Sequence, residues 1–356
     1  MRRALSIVRD VARCRAGEPV RPRLLTYVVT FACNARCVMC DSWRKPRDAS
    51  ELQLGEIDRI LAQLGPLDAV RLTGGEPFVR DDLGHIAELV QRRTTPALLH
   101  VTTNGFGTRS IVRFCEERAK DVPLAMLVSV DGWGEEHSRI RGKESAWSRV
   151  VDTIRALAPR QRELRMRLAV NQTIVDAGGL DGYRKLRAML RPLGVRHQVV
   201  IAYQASATYS LLREVDLAPR EPGGFDTFGE LPRETIRELL DEVEHDLAHL
   251  PLPERIAKRY YLAGIRSRLL GEGESPRPRC VALSAHLRLL PNGDVPTCQF
   301  NTKVVGNLRD TPLDRVWTSE RVSEQRAWVG QCPGCWAECE VLPNATYTGD
   351  LVRAVL

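Results

Sequence analysis

Through the first two thirds of the chain, short apolar runs rich in β-branched residues alternate with longer stretches of helical periodicity. That alternation predicts repeated β-α units and a parallel sheet. Strands are expected near Leu24 to Phe31, Ala69 to Thr73, Ala97 to Thr103, Leu124 to Val130, Leu164 to Thr173 and Arg196 to Tyr203. Amphipathic helices are expected near Leu54 to Leu64, Asp82 to Arg92, Thr108 to Ala119, Ala146 to Ala158 and Leu180 to Leu190. Six such units predict an α/β fold, a partial TIM-like (β/α)6 barrel, in which the loops after the strands carry the chemistry.

Beyond Gln204 the pattern turns loop-like, with Pro219, Pro222, Gly223 and Gly224, and the segment to Pro232 either lies over a substrate or merely connects. Helical periodicity returns from Arg233 to about Leu250 and from Glu254 to Leu270. Gly271-Glu272-Gly273-Glu274-Ser275-Pro276 then leads into a cysteine-rich segment where Asn292-Gly293, between two apolar runs, predicts a β-hairpin flanked by Cys280 and Cys298. Four parts are expected: an N-terminal helical extension (1–22), the barrel (23–232), a helical linker (233–279), and a small C-terminal domain of hairpin and helix with its tail (280–356).

Composition narrows the class only modestly. With 43% apolar and 27% charged residues, the chain reads as an ordinary globular protein. It offers no secretory core and no membrane-length apolar stretch, so a cytoplasmic location without a membrane partner is expected. The net charge of +7 comes from scattered basic residues with acids interleaved, as in Arg113 to Arg118, which argues against a nucleic-acid partner.

The ten cysteines change the picture more. A reducing compartment disfavours a disulfide framework, and the placement is clustered: three lie within Cys33 to Cys40 and five within Cys280 to Cys339. Only Cys14 and Cys115 stand apart, on expected helices, where a small buried residue is the usual meaning.

Cys33, Cys37 and Cys40 share one short loop directly after the first strand. Three thiolates on a four-iron cluster leave one iron open to chelate an amine and a carboxylate. Zinc is the competing reading, but no histidine or fourth cysteine lies near enough in the sequence to complete a tetrahedron. Thr73-Gly74-Gly75-Glu76-Pro77 follows the second strand, Thr102-Thr103-Asn104-Gly105 the third, and Ser129-Val130-Asp131-Gly132 the fourth, with His137 to Gly142 after it.

In this spacing and order the chain resembles the radical S-adenosylmethionine superfamily over roughly residues 24 to 205. The resemblance implies a catalytic 4Fe-4S cluster on Cys33, Cys37 and Cys40, with S-adenosylmethionine as cofactor. It implies that Gly74, Gly75 and Glu76 contact the methionyl amine and that Ser129 and Arg141 hold the carboxylate. Asn104 is a cofactor residue or a turn residue before glycine, and Asn171 binds cofactor or satisfies neighbouring backbone. Tyr203 and Gln204 contact adenine or substrate, or close the barrel mouth. Asp131 and Arg139 serve function or are simply a turn and a surface residue.

The C-terminal cysteines suit a fully ligated second cluster or a structural zinc. Cys280, Gly293 and Cys298 stand in a Cys-x12-Gly-x4-Cys pattern similar to that of the twitch, or shortened SPASM, domain. By that resemblance an auxiliary 4Fe-4S cluster is expected on Cys280, Cys298, Cys332 and Cys335. Cys339 either replaces one of these or remains a free thiol, and a free thiol there is a candidate hydrogen donor.

The implied activity is reductive cleavage of S-adenosylmethionine to a 5'-deoxyadenosyl radical that abstracts hydrogen from a substrate carbon, with a one-electron reductant of flavodoxin or ferredoxin type as partner. Epimerisation or dehydrogenation of a small sugar-like or cyclitol-like intermediate is the leading expectation. Peptide modification is an alternative, although 32 residues before Cys33 are too few for an appended leader-binding domain. A non-catalytic iron-sulfur or zinc protein is the reading from another class.

Overall fold

Alternating burial along the strands gives a sheet with one apolar face under helices and a more polar face turned to a lumen. The computed structural model describes residues 2–45, 50–202, 209, 228–274, 276–332 and 334–353. All six expected strands form: β1 (Leu24–Val28), β2 (Ala69–Thr73), β3 (Leu98–Thr103), β4 (Leu124–Ser129), β5 (Arg167–Ile174) and β6 (Arg196–Ile201). They pair in parallel in chain order. Between them run α2 (Leu54–Ala62), α3 (Leu83–Thr94), α4 (Thr108–Arg118), α5 (Glu135–Arg141), α6 (Ala146–Leu157) and α7 (Gly179–Leu190), after an N-terminal α1 (Arg2–Ala16). The five longer helices after α1 match the expected ones, and α5 is a further short helix.

The outward positions Val70, Leu72, Leu99, Val101, Met126, Val128, Leu168 and Val170 join Ile57, Ile86, Ile111 and Ile154 of the helices in one continuous core. At about 25 cal/mol per Å2 of apolar surface removed from water, this layer is the main stabilising term. Strand β5 starts three residues later than Leu164, because Arg165 takes a left-handed conformation (φ 49°) that ends the preceding turn.

The expected hairpin forms only in part. Gly293 (φ 93°) closes a turn on Leu290, with Leu290 N–H donating to Asp294 C=O at 2.9 Å. The strand before it, β7 (His286–Leu289), joins the barrel sheet parallel to β1 as a seventh strand, with Leu25 opposite Leu287. The strand after it, β8 (Asp294–Pro296), pairs antiparallel with β9 (Val304–Asn307). β7 is buried along its whole length. A strand buried on both faces is better served by the edge of a parallel sheet than by a small hairpin.

Helices α8 (Arg233–Asp246) and α9 (Leu252–Leu270) are not a loose connector: they form a second core with Ile201 of β6 and with α12 (Glu338–Tyr347). Trp336 anchors this core, edge-on to Tyr260 at 5.8 Å. It lies so close to Gly264 that a Cβ there would sit 1.6 Å from the indole. Three further helices, α10 (Leu313–Trp317), α11 (Glu320–Gln331) and a short α13 (Asp350–Arg353), belong to the C-terminal part. Cys14 and Cys115 are buried, as their isolation implied. No helix among the described residues is long and apolar enough to cross a membrane.

A buried ion cluster ties α12 to the sheet. Arg288 Nη2 of β7 donates to Glu340 Oε1 at 2.6 Å, His286 Nδ1 lies 3.3 Å from Oε2, and His286 Nε2 meets the Thr26 hydroxyl at 2.8 Å. Burial alone would raise the Glu340 pKa, but His286 and Arg288 outweigh it and bring the carboxyl down to about 2. Its stabilising contribution is therefore complete above about pH 4.5, the unfolded value, and is lost as pH falls towards 2. Glu340→Ala, which strands Arg288 without its carboxylate, should cost about 3–5 kcal/mol in denaturant unfolding at neutral pH. That cost should shrink below about pH 4.5; a pH-independent cost would mean that the pairing does not hold the carboxylate charged.

Candidate functional site

The loop bearing Cys33, Cys37 and Cys40 is seated by backbone on two sides. Gly75 N–H donates to Thr30 C=O at 2.8 Å and Glu76 N–H to Ala32 C=O at 2.9 Å. Across the loop, Arg36 N–H donates to Arg141 C=O at 2.8 Å and Val38 N–H to Ile140 C=O at 3.0 Å. A Cβ on Gly74 would stand 2.4 Å from the Thr30 carbonyl oxygen, and one on Gly75 2.3 Å from that of Ala32. The two glycines thus let β2 approach the cysteine loop itself, a packing need that the sequence motif alone does not reveal.

Glu76 is buried at the centre of this arrangement. Its Oε1 accepts from the Thr103 hydroxyl at 2.8 Å and Phe78 N–H at 3.1 Å, and its Oε2 from Asn104 N–H at 2.6 Å. Burial raises its pKa to about 6 against those three donors. Its carboxylate joins the ends of β2 and β3, and Asn104 continues the link through Nδ2, which donates to Asn34 Oδ1 of the cysteine loop at 2.6 Å.

Arg141 is buried, with Nε 2.6 Å from the carboxylate of wholly buried Asp131 and Nη1 3.6 Å from Cys37 Sγ. The buried partner of Asp131 thus comes from the same motif, whereas Arg139 is 58% exposed and pairs with Asp176 at the surface. His137 accepts from Asp131 N–H at 3.0 Å through Nδ1, and burial first, then Arg141, lowers its pKa to about 3, keeping it neutral. Ser129, the last residue of β4, stands opposite Asn171, which is part-way along β5. Tyr203 and Gln204 lie outside the described residues.

Backbone N–H groups mark which sulfurs are prepared for negative charge. Ala35 N–H donates to Cys33 Sγ and Ser42 N–H to Cys40 Sγ, both at 3.4 Å. In the C-terminal part Asn301 N–H donates to Cys298 Sγ at 3.2 Å, and the N–H groups of Ala282, Gly334 and Ala337 serve Cys280, Cys332 and Cys335. Cys280 also lies within electrostatic reach of Cys298 and Cys332, and Cys335 within reach of Cys280 and Cys298. Burial pushes Cys33 up to about 12 and Cys40 and Cys298 to about 11, so these groups are thiols until iron displaces their protons.

Among the described residues no three His, Cys, Asp or Glu side chains form a group able to hold a single metal ion as they stand. An iron-sulfur cluster takes thiolate ligands around an inorganic core of its own. The donor sets, with sulfur ligands only and N–H···S support, fit such clusters.

Cys339 differs. Its sulfur has side-chain partners, Gln299 Oε1 at 3.5 Å and the Arg71 guanidinium, and it lines the barrel lumen. This cavity, of about 670 Å3, is lined on the strand side by Thr26, Arg71, His100, Asn171 and Arg288 among others, and closed from the C-terminal part by Ala337 to Cys339. Tyr209 also lines it, with its hydroxyl hydrogen-bonded to Thr73 and within electrostatic reach of Cys40 and Cys339. Arg71, His100 and Arg288 were not singled out from the sequence. Their signal was there: a charged or polar residue mid-way along a strand that is otherwise apolar must face something other than the helix layer.

An incomplete sheet barrel with cysteine sets at one end and in the C-terminal appendage defines an iron-sulfur protein of the TIM-like α/β class. Family models agree at both sites: residues 27–168 match the radical SAM superfamily and residues 280–339 the SPASM iron-sulfur cluster-binding domain. The chain is a radical SAM superfamily protein with a SPASM-type domain, and the two domains imply S-adenosylmethionine and two 4Fe-4S clusters. It is 42% identical to the GTP 3',8-cyclase of Tolumonas auensis over 95 residues, 25% of this chain and 28% of that protein. The match to the Aquifex aeolicus GTP 3',8-cyclase likewise spans only 54% of that protein. The AdoMet-dependent heme synthase of Methanosarcina barkeri is 24% identical over 90% of this chain and 88% of its own length. Streptococcus suis SuiB bound to S-adenosylmethionine shares the fold, with TM-score 0.60 and 16% identity over 88% of this chain and 69% of that one. So does anSMEcpe with bound AdoMet and a peptide, with TM-score 0.55 and 15% identity over 85% and 81%.

Two outcomes follow from these contacts. Gly75→Ala should unseat the cysteine loop and lower the reconstituted iron content about as far as Cys33→Ala does; unchanged iron would refute the close-approach argument. Cys280→Ala should remove about half of the roughly eight irons that two clusters hold, whereas Cys339→Ser should keep them all. An equal loss from both would make Cys339 a ligand.

Proposed function

We propose that this protein abstracts hydrogen from a small sugar-like or cyclitol-like substrate held in the barrel lumen, and that Cys339 returns a hydrogen atom from the opposite face, inverting a stereocentre. The observation that carries the reading is the position of the Cys339 thiol: in the lumen, beside Arg71 and Gln299, and with no backbone donor among the described residues of the kind that serves the other cysteines of its domain.

Cys33, Cys37 and Cys40 would hold the catalytic cluster, and Cys280, Cys298, Cys332 and Cys335 the auxiliary one. When bound, cluster and S-adenosylmethionine supply the 5'-deoxyadenosyl radical that takes the substrate hydrogen. Gly74, Gly75, Glu76, Asn104, Ser129, Arg141 and Asn171 would contact that cofactor, with Glu76 and Arg141 acting largely through the cysteine loop they hold. The Cys339 S–H then gives its hydrogen atom to the substrate carbon, and the sulfur radical regains its thiol with one proton and one electron from an external reductant.

The cavity volume suits a small molecule. Asn171, Gln198, Gln299 and Thr73 offer it donors and acceptors suited to hydroxyl groups. Exposed Arg36 of the cysteine loop and Arg44, which also pairs with Asp41, stack on Trp43. That basic surface favours an acidic flavodoxin or ferredoxin as the reductant.

With a sugar or cyclitol that supports turnover in D2O, the product should carry solvent deuterium at the inverted carbon. Cys339→Ser should still form 5'-deoxyadenosine while product formation falls by at least about a hundredfold. Oxidised product without solvent label, or normal product from Cys339→Ser, would sink the epimerase reading and leave dehydrogenation.

A further inference from the structure

The strand registers place one lumen-facing residue from each of six strands in a single row. Arg288 stands opposite Thr26, Thr26 opposite Arg71, Arg71 opposite His100, His100 opposite Ala125, and Ala125 opposite Arg167. All six line the cavity. Three guanidiniums and an imidazole thus share one tier, separated by the short side chains of Thr26 and Ala125. The tier lies two residues below the C-terminal ends of β1 and β2, beneath the cysteine loop.

Positive charge gathered in a lumen is costly unless an anion meets it. The carboxylates that line or back this cavity are already taken. Glu340 is held by Arg288 and His286, Glu338 by Lys258, and Glu254 by Arg196. Arg71 has no carboxylate among the described residues. Its Nε donates to His100 Nδ1 at 3.2 Å, and its guanidinium also meets the Cys339 thiol. Because His100 accepts at Nδ1, its ring proton sits on Nε2; burial first, then Arg71, keeps the ring neutral. The pair therefore presents a charged fork and a neutral N–H side by side, an arrangement of donors with no acceptor of matching charge.

We propose that Arg71 and His100 form an anion-binding site that anchors an acidic group of the substrate, a carboxylate or a phosphate, next to Cys339. This deepens the reading of the lumen as the substrate chamber and rests on it. An acidic group fixed at the β2–β3 wall sets which carbon of the substrate is presented to the thiol, so Arg71 would decide specificity as well as affinity.

The test is a titration of the reconstituted protein with inorganic phosphate, followed by 31P line broadening, with acetate as competitor. Wild-type protein should bind phosphate at millimolar concentration. Arg71→Gln should weaken binding by about tenfold or more, Arg71→Lys by less, and His100→Phe by an intermediate amount. Arg139→Gln, at an exposed surface pair, should leave it unchanged. Acetate that displaces phosphate at equal concentration points to a carboxylate substrate, and acetate that fails points to a phosphate; both outcomes keep the site. Equal binding by wild type and Arg71→Gln, or none by wild type, overturns the proposal. If Arg71→Gln does not fold, the Arg71→Lys and His100→Phe titrations decide it in the same way. No turnover is involved, so a failure to form 5'-deoxyadenosine would count against the radical reading alone.

Discussion

Four backbone hydrogen bonds clamp the cysteine loop between the end of β2 and the end of α5, and the rest of the site is arranged around that clamp. Each such bond contributes only about 1 kcal/mol net. Their effect is geometric: they hold Cys33, Cys37 and Cys40 at fixed points on a loop that has no regular structure of its own. The clamp requires the missing side chains of Gly74, Gly75 and Gly142, since a Cβ on any of them would stand 2.3 or 2.4 Å from a loop carbonyl oxygen. Glu76, Asn104, Asp131 and Arg141 then fill the space around the clamp with paired buried charge and hydrogen bonds, which cannot be removed one at a time without stranding a partner.

The C-terminal part is built into the barrel, not hung from it. β7 extends the parallel sheet past β1, and the Arg288–Glu340–His286 cluster fastens α12 across the open side of the lumen. One consequence is that Cys339, one residue before Glu340, is delivered into the cavity together with Gln299. Domain attachment and chamber chemistry are thereby set by the same few residues. The second core around Trp336 and α9 holds the other end of the Cys332–Cys339 turn.

Much of this was legible in the sequence because it is local. Period-two and period-3.6 hydrophobic patterns reflect which face of a strand or helix meets the core, so the six strands and their helices follow from them. The cysteine triplet, the Gly-Gly-Glu-Pro segment and the spacing of the C-terminal cysteines are likewise local. Through the family resemblance they carry, they point to iron-sulfur and S-adenosylmethionine chemistry without reference to any distant contact, although the C-terminal spacing by itself suits zinc as well. The Asn292-Gly293 turn was legible too, for the same reason.

What tertiary structure alone decided is pairing at long range. Whether β7 would fold back on β8 or lie beside β1 depends on which partner buries both of its faces, and that partner is 262 positions earlier at Leu24, opposite His286. That Glu76 and Arg141 both reach the loop that carries the sulfurs depends on how the end of β2 and the end of α5 meet it. The row of Arg288, Arg71, His100 and Arg167 exists only through strand register, since a shift of one residue would turn each of those side chains into the helix layer. Residue type and spacing determine what chemistry the chain can attempt. Register and closure of the sheet determine which of those groups share a chamber.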